Sequence, residues 1–273
     1  MSRALVSAVG RTDAGCVREN NEDSFAIDSE LGLLVVADGM GGHNSGEIAS
    51  RLATETILDF GRKVLGGAVT GAPGSSAGAG SFRVRQMEYI VQMANTVIFE
   101  KAQSSAQNRG MGTTIVAALV HGGTVAVAHV GDSRLYVFRK GELQLLTEDH
   151  SLVMEQLRRG LLNPEEAQRS ELQNVLIRAL GTESRVVVDI QEHPLLAQDV
   201  LLLCTDGLTK MVADERIARA LSETPELPAA CDRLVDMARE AGGADNVTVI
   251  AGRPVASKRG LQGWFSRFFS VES

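Results

Sequence analysis

The chain is short of cysteine, of long apolar runs and of basic charge, and each shortage closes off a class of protein. Its three cysteines, Cys16, Cys204 and Cys231, lie far apart, are odd in number and form no Cys-x-x-Cys. That excludes a disulfide framework or a cysteine zinc site and leaves ordinary buried thiols as the expectation. The longest apolar runs, such as LLVVA at 33–37 and VLLLC at 200–204, fall far short of the roughly 18 to 20 residues that cross a bilayer. No signal-peptide core opens the N-terminus, so a soluble, cytoplasmic protein is expected. Lysine and arginine total 27 against 34 acids, for a formal net charge of −7. A surplus of acid argues against binding nucleic acid through its phosphates, which needs a basic face. Any phosphate chemistry here would need metal ions to reverse the local sign.

What is present is enough apolar material, 44% of 273 residues, for a substantial core in one large domain or two small ones. The N-terminal part reads as strands at 4–9, 24–27 and 31–38. The segment 46–60 carries Ile48, Ala49, Leu52, Ala53, Ile57 and Phe60 at helical spacing, and 82–103 is a second amphipathic helix. Between them 66–81 is mostly Gly, Ala and Ser and reads as a mobile loop. Residues 113–147 read as three or four strands of an antiparallel meander joined by Gly-Gly and Lys-Gly turns. Helical spacing returns over 151–181, where Asn163 and Pro164 form a cap and first turn, and this segment is expected to be an inserted flap. Strands at 185–190 and 199–204, helices at 214–223 and 227–240, and a strand at 246–252 follow. Strand blocks separated by helix pairs predict an α+β fold with two packed sheets and helices on the outside.

The chemistry sits at strand ends. VVADG places Asp38 at the end of a strand, LLLCTDG repeats the arrangement at Asp206, VAHVGDSR does so at Asp132, and GGADNVTV starts a strand after Asp245. Each acid alone could merely cap a turn. Four of them, with the cluster RENNEDS near the start, could converge on one sheet edge, where all-oxygen ligation suits hard divalent cations such as magnesium or manganese.

RENNED (18–23), ADGMGGH (37–43), MGTT (111–114), VGDSR (130–134), TEDHS (147–151), NVLIRALG (174–181), TDGL (205–208) and DNVT (245–248) together resemble, in order, the motifs of the metal-dependent serine/threonine protein phosphatases of type 2C in their bacterial form. The resemblance spans about residues 5–252. It implies a four-layer α/β/β/α sandwich of two mostly antiparallel sheets, with the catalytic domain at 1–255. Asp38 would bridge two Mn2+ or Mg2+ ions, with Glu22 and the Gly39 carbonyl on one and Asp206 and Asp245 on the other. A third, weaker ion would use Asp132 and Asp206. Asp23 would orient metal-bound water and Arg18 would grip the phosphate. The implied substrates are phosphoserine and phosphothreonine proteins, hydrolysed by direct attack of the bridging water, with a bacterial Ser/Thr kinase as the opposing partner and a monomer as the default state. A catalytically weak domain that binds phosphoproteins is the alternative, and the full set of acids argues against it. Animal members read DGHGG, with a histidine proposed as the acid, where this chain has Met40. A thioether donates no proton, and His43, three residues on, is a weak stand-in.

Rival chemistries fit less well. Asp149, His150 and Ser151 are adjacent in the chain and so do not face one another as a catalytic triad must, and GDSRL lacks the last glycine of G-x-S-x-G. No P-loop is present, GMGGHN fails G-x-G-x-x-G, and no HExxH exists, so most histidines should be structural. The tail 256–273 holds Trp264, Phe265, Phe268 and Phe269 among Lys258, Arg259 and Arg267. A short amphipathic helix meeting a partner or an acidic membrane is one reading, and packing back on its own domain is the other.

Overall fold

In a strand, successive side chains point to opposite faces, so a fully apolar run serves two cores at once. β3 (Leu33–Met40) does this: Leu34 and Val36 face a second sheet, while Leu33, Val35 and Ala37 face helices. The computed structural model describes residues 5–42, 45–67, 81–170 and 172–255. After β1 (Val6–Asp13), β2 (Asp23–Asp28) and β3 come α1 (Ser45–Leu65) and α2 (Phe82–Ser104), as the helical spacing predicts. Then follow β4 (Gly112–Thr113), β5 (Ile115–His121), β6 (Thr124–Val130), β7 (Arg134–Arg139) and β8 (Glu142–Leu145). The flap segment holds α3 (Leu152–Arg158) and α4 (Pro164–Gln168), the latter opened by a complete capping box between Asn163 and Glu166. The chain ends in β9 (Asp189–Pro194), β10 (Val200–Cys204), α5 (Asp206–Thr209), α6 (Asp214–Glu223), α7 (Leu227–Glu240) and β11 (Val247–Pro254).

The strands form two antiparallel sheets. One has the order β1-β11-β10-β7-β8, the other β2-β3-β5-β6-β9, with β4 paired to β3. Leu34, Val36, Val116, Val127, Leu201, Leu203 and Ile250 fill the space between the sheets. On the far side of one sheet, Leu202 and Cys204 meet Ile217, Leu234 and Ala238 of α6 and α7. On the far side of the other, Val35 and Ile115 meet Ala53 and Ile57 of α1 and Ile90 and Ile98 of α2. Three apolar interfaces make four layers, α/β/β/α, and each fully buried leucine or isoleucine contributes roughly 1.5–3 kcal/mol.

Three expectations need correction. The strands at 113–147 are not one meander: β5–β6 is a hairpin of one sheet and β7–β8 a hairpin of the other. The chain crosses between sheets through Gly131, Asp132 and Ser133, with Gly131 at φ +107°, a conformation that favours glycine. The strand expected at 185–190 starts only at Asp189, because Asp189–Pro194 is the stretch that finds a partner in β6. Cys16 is exposed, unlike Cys204 and Cys231, because it sits in the polar loop after β1, where its N–H donates to the Gly243 carbonyl. Most of the expected loop at 66–81, His43 and the aromatic tail at 256–273 lie outside the described residues. Among the described residues, no helix is long and apolar enough to cross a membrane.

Candidate metal centre and active site

The acids reach one place because strand ends from both sheets and two loops open on the same cavity, of about 450 Å³. Its wall includes Arg18, Glu22, Asp38, Gly39, Met40, Asp132, Asp206, Lys210 and Asp245. Asp23 is absent from the wall: it is buried beside Asp38, its cross-strand partner in the β2–β3 register. All eight residues expected from the sequence therefore converge, seven on the surface of the cavity and Asp23 beneath it.

Backbone clamps hold Asp38. Its N–H donates to the Thr114 hydroxyl at 2.9 Å, and its carbonyl accepts from the Thr114 N–H and the Thr113 hydroxyl at 2.8 Å each. The Thr114 hydroxyl also meets that of Ser133 at 2.7 Å, tying β3 to the crossing that carries Asp132. Gly39 has no room for a side chain, since a Cβ there would lie 2.1 Å from the Gly46 carbonyl oxygen and 2.6 Å from that of Glu22. This tight contact brings the start of α1, the 18–22 loop and β3 together.

Three residues that sequence reasoning passed over organise the rest. Asn246 staples the loop of Arg18 and Glu22 to the start of β11: its Oδ1 accepts from the Glu22 N–H at 2.8 Å, and its Nδ2 donates to the carbonyls of Asn20 and Ala14. Thr205, at the N-cap of α5, gives the helix no side-chain cap; its hydroxyl donates to Asp23 Oδ2 at 2.9 Å and accepts from the Thr248 N–H at 2.9 Å. Lys210 folds back one turn to pair with Asp206, and its Nζ also donates to Asn174 Oδ1 of the flap at 2.6 Å. The quoted motifs TDGL and DNVT contain two of these residues, and only the structure shows what they bind.

The electrostatics are those of an acid cluster under compression. Burial, and then the charges of Asp23, Asp206, Asp132 and Asp245, hold the Asp38 carboxyl well above the ordinary range. Burial, helped by the charges of Asp206 and Asp245 and opposed by the hydroxyls of Thr248 and Thr205, raises Asp23 to about 7. Burial and Asp206 raise Asp132 to about 7, opposed by Lys210. Burial also raises Glu22, with Arg18 acting the other way. Arg18 forks onto Asp245, Nε to Oδ1 at 2.9 Å and Nη2 to Oδ2 at 3.0 Å. Asp23 Oδ1 and Asp206 Oδ1 are buried with no hydrogen-bond partner. Glu22, Asp38, Asp132, Asp206 and Asp245 on the wall, with Asp23 buried behind them and exposed Glu19 at the rim, outnumber the two side-chain cations, Arg18 and Lys210. Oxygen-only donors, orphaned oxygens and that excess all fit hard divalent cations.

The Protein phosphatase 2C family model matches residues 17–246. The chain belongs to that family. The serine/threonine phosphatase stp of Listeria monocytogenes is 38% identical over 243 residues, covering 88% of this chain and 92% of the relative. The crystal structure of the Mycobacterium tuberculosis serine/threonine phosphatase PstP/Ppp superposes with a TM-score of 0.81 at 34% identity, covering 92% of this chain and 99% of that one. A structure of the catalytic domain of PstP in complex with two manganese ions gives a TM-score of 0.77 at 33% identity, covering 93% of this chain and 100% of that one. The protein is a metal-dependent serine/threonine protein phosphatase.

The phosphatase also shows why its adjacent Asp149, His150 and Ser151 form no triad. Asp149 takes the guanidinium of Arg134, and the Ser151 hydroxyl caps α3 by accepting from the Met154 N–H. His150 Nδ1 accepts from the Gly131 N–H at 3.1 Å, which leaves Nε2–H to donate to Asp189 Oδ2 at 3.2 Å. With His129 stacked on His150 at 4.7 Å, these rings buttress the Gly131–Ser133 crossing and so the position of Asp132.

Proposed function

We propose that this phosphatase holds two divalent ions, manganese or magnesium, in the acid cavity and there hydrolyses phosphoserine and phosphothreonine in proteins, opposing a Ser/Thr kinase in the bacterial cytoplasm. The observation that carries this reading is the meeting of Glu22, Asp38, Asp206 and Asp245, distant in sequence, on one cavity wall with a buried Asp206 oxygen left unpartnered. Glu22, Asp38 and the Gly39 carbonyl would hold one ion, and Asp38, Asp206 and Asp245 the other. The pair supplies charge neutralisation and a water of lowered pKa at neutral pH.

The chain's own residues do the remaining work. Arg18, half-exposed at the cavity mouth, presents a planar fork to a phosphoryl group, and its exchange from Asp245 to substrate is favoured once Asp245 has a cation of its own. Asp23, with one oxygen fixed by Thr205 and the other free, is placed to orient an attacking water. Met40 on the wall offers no proton. The described flap contributes Asn174 and Leu176 to the wall, so protein substrates meet it as they enter. Residues 1–255 would be the catalytic domain, with 256–273 an appended tail. Turnover of a phosphothreonine peptide and of p-nitrophenyl phosphate, dependent on Mn2+ and abolished by Asp38→Asn, tests the reading; turnover in excess chelator, or an unimpaired Asp38→Asn, contradicts it.

A further inference from the structure

Asp206 does not have two free oxygens. Oδ1 is buried and unpartnered, whereas Oδ2 is taken by the ammonium of Lys210, the C-cap of α5, whose own N–H donates to the Asp206 carbonyl at 2.8 Å. The same ammonium also donates to Asn174 Oδ1 at 2.6 Å. Lys210, Asp132 and Asp206 together form the partition between the acid cavity and a second cavity of about 300 Å³ under α3 and α4, appearing on the walls of both. An ammonium is a compact point charge with three donors, and here two are directed at named oxygens.

We propose that Lys210 is the built-in cation of the Asp132–Asp206 pair, occupying the position where a third divalent ion would otherwise bind, so that this chain loads two divalent ions and no more. The inference rests on the two-ion reading above. It follows from the geometry of the pair: the ammonium of Lys210 already holds Asp206 Oδ2 and lies with Asp132 on the same partition. A third ion would share Asp206 Oδ2 with a cation that is tethered and cannot diffuse away. Removing the tethered charge should vacate the position. Asp132, now without that cation, would then bind a metal ion through its carboxylate.

Isothermal titration with Mn2+, checked by electron paramagnetic resonance of free Mn2+, tests this on the full chain. Wild type should bind close to two ions. Lys210→Met should gain one further, weaker ion, lost again in Lys210→Met/Asp132→Asn. Lys210→Gln provides the same test should the methionine variant fold poorly. A wild type that binds three ions, or lysine variants with the wild-type count and affinities, overturns the proposal. A wild type that binds none, or whose ion count is unchanged by Asp38→Asn, overturns the underlying site reading instead.

Discussion

Two clusters of metal-type side chains lie at the strand ends of this molecule, and they differ in what is left over. His129, His150 and Asp189 bring three ligand-type atoms within 4.8 Å of one another. Yet each is matched by the protein: Asp189 Oδ1 takes Arg178 at 2.6 Å, both His150 nitrogens are hydrogen-bonded, and His129 Nε2 meets the Glu148 backbone. Burial, with the neighbouring His129 and Arg178 charges, pushes His150 down to about 4, so its ring is neutral at pH 7. In the acid cavity, by contrast, carboxylates outnumber cations and buried oxygens lack partners. Proximity of ligand types is thus a poor guide to a metal site. Unmatched charge and unmatched lone pairs are the better one.

Substitutions separate the two clusters. Asp38→Asn should lower Mn2+-dependent turnover by at least about a thousandfold, because it removes the carboxylate proposed to be shared by both ions. Thr205→Val should reduce turnover by roughly 10- to 100-fold and weaken Mn2+ binding, since the hydroxyl that fixes Asp23 acts one layer behind the ions. A wild-type rate in Thr205→Val would show that Asp23 needs no orientation. His150→Ala, in the matched cluster, should cost about 2–4 kcal/mol of stability in denaturant unfolding by emptying a buried, hydrogen-bonded position. It should leave the Mn2+ count unchanged, and a lost ion there would erase the contrast between the clusters.

A pH series gives the smallest effect. Asp23 and Asp132 are raised to about 7 in the folded, metal-free protein, against roughly 4 when unfolded. Between those values the folded state binds more protons, so their contribution to the stability of the metal-free protein is present at low pH and lost as pH rises through about 7. Mn2+ competes with the same protons, so the rise in Tm on adding Mn2+ should grow from pH 5 to pH 8. A shift that is constant over this range would mean these carboxylates do not face the ions.

Much of this was legible in the chain, and what was missing has a physical reason. Runs such as LLVVA and VLLLC announce strands buried on both faces, and the helices at 45–65 and 82–104 follow from their apolar spacing. Each acid at a strand end is visible too, but their convergence came from the ordered motifs, because spacing along a chain does not state which sheet a strand joins. That is why 113–147 reads as one meander although the chain changes sheets at Gly131–Ser133: a turn and a crossing both need a glycine and a polar residue, and only the identity of β7's partner, β10, distinguishes them. Asn246, Thr205 and Lys210 escaped for a similar reason, since a stapling amide, a hydroxyl diverted from its helix cap and a lysine turned inward have no local signature.

The most direct test is anomalous diffraction at the manganese edge from crystals grown with Mn2+. The account predicts two strong peaks in the acid cavity, one near Glu22, Asp38 and the Gly39 carbonyl and one near Asp38, Asp206 and Asp245, with none between His129, His150 and Asp189. Peaks at the histidines, or an acid cavity without manganese, would contradict it.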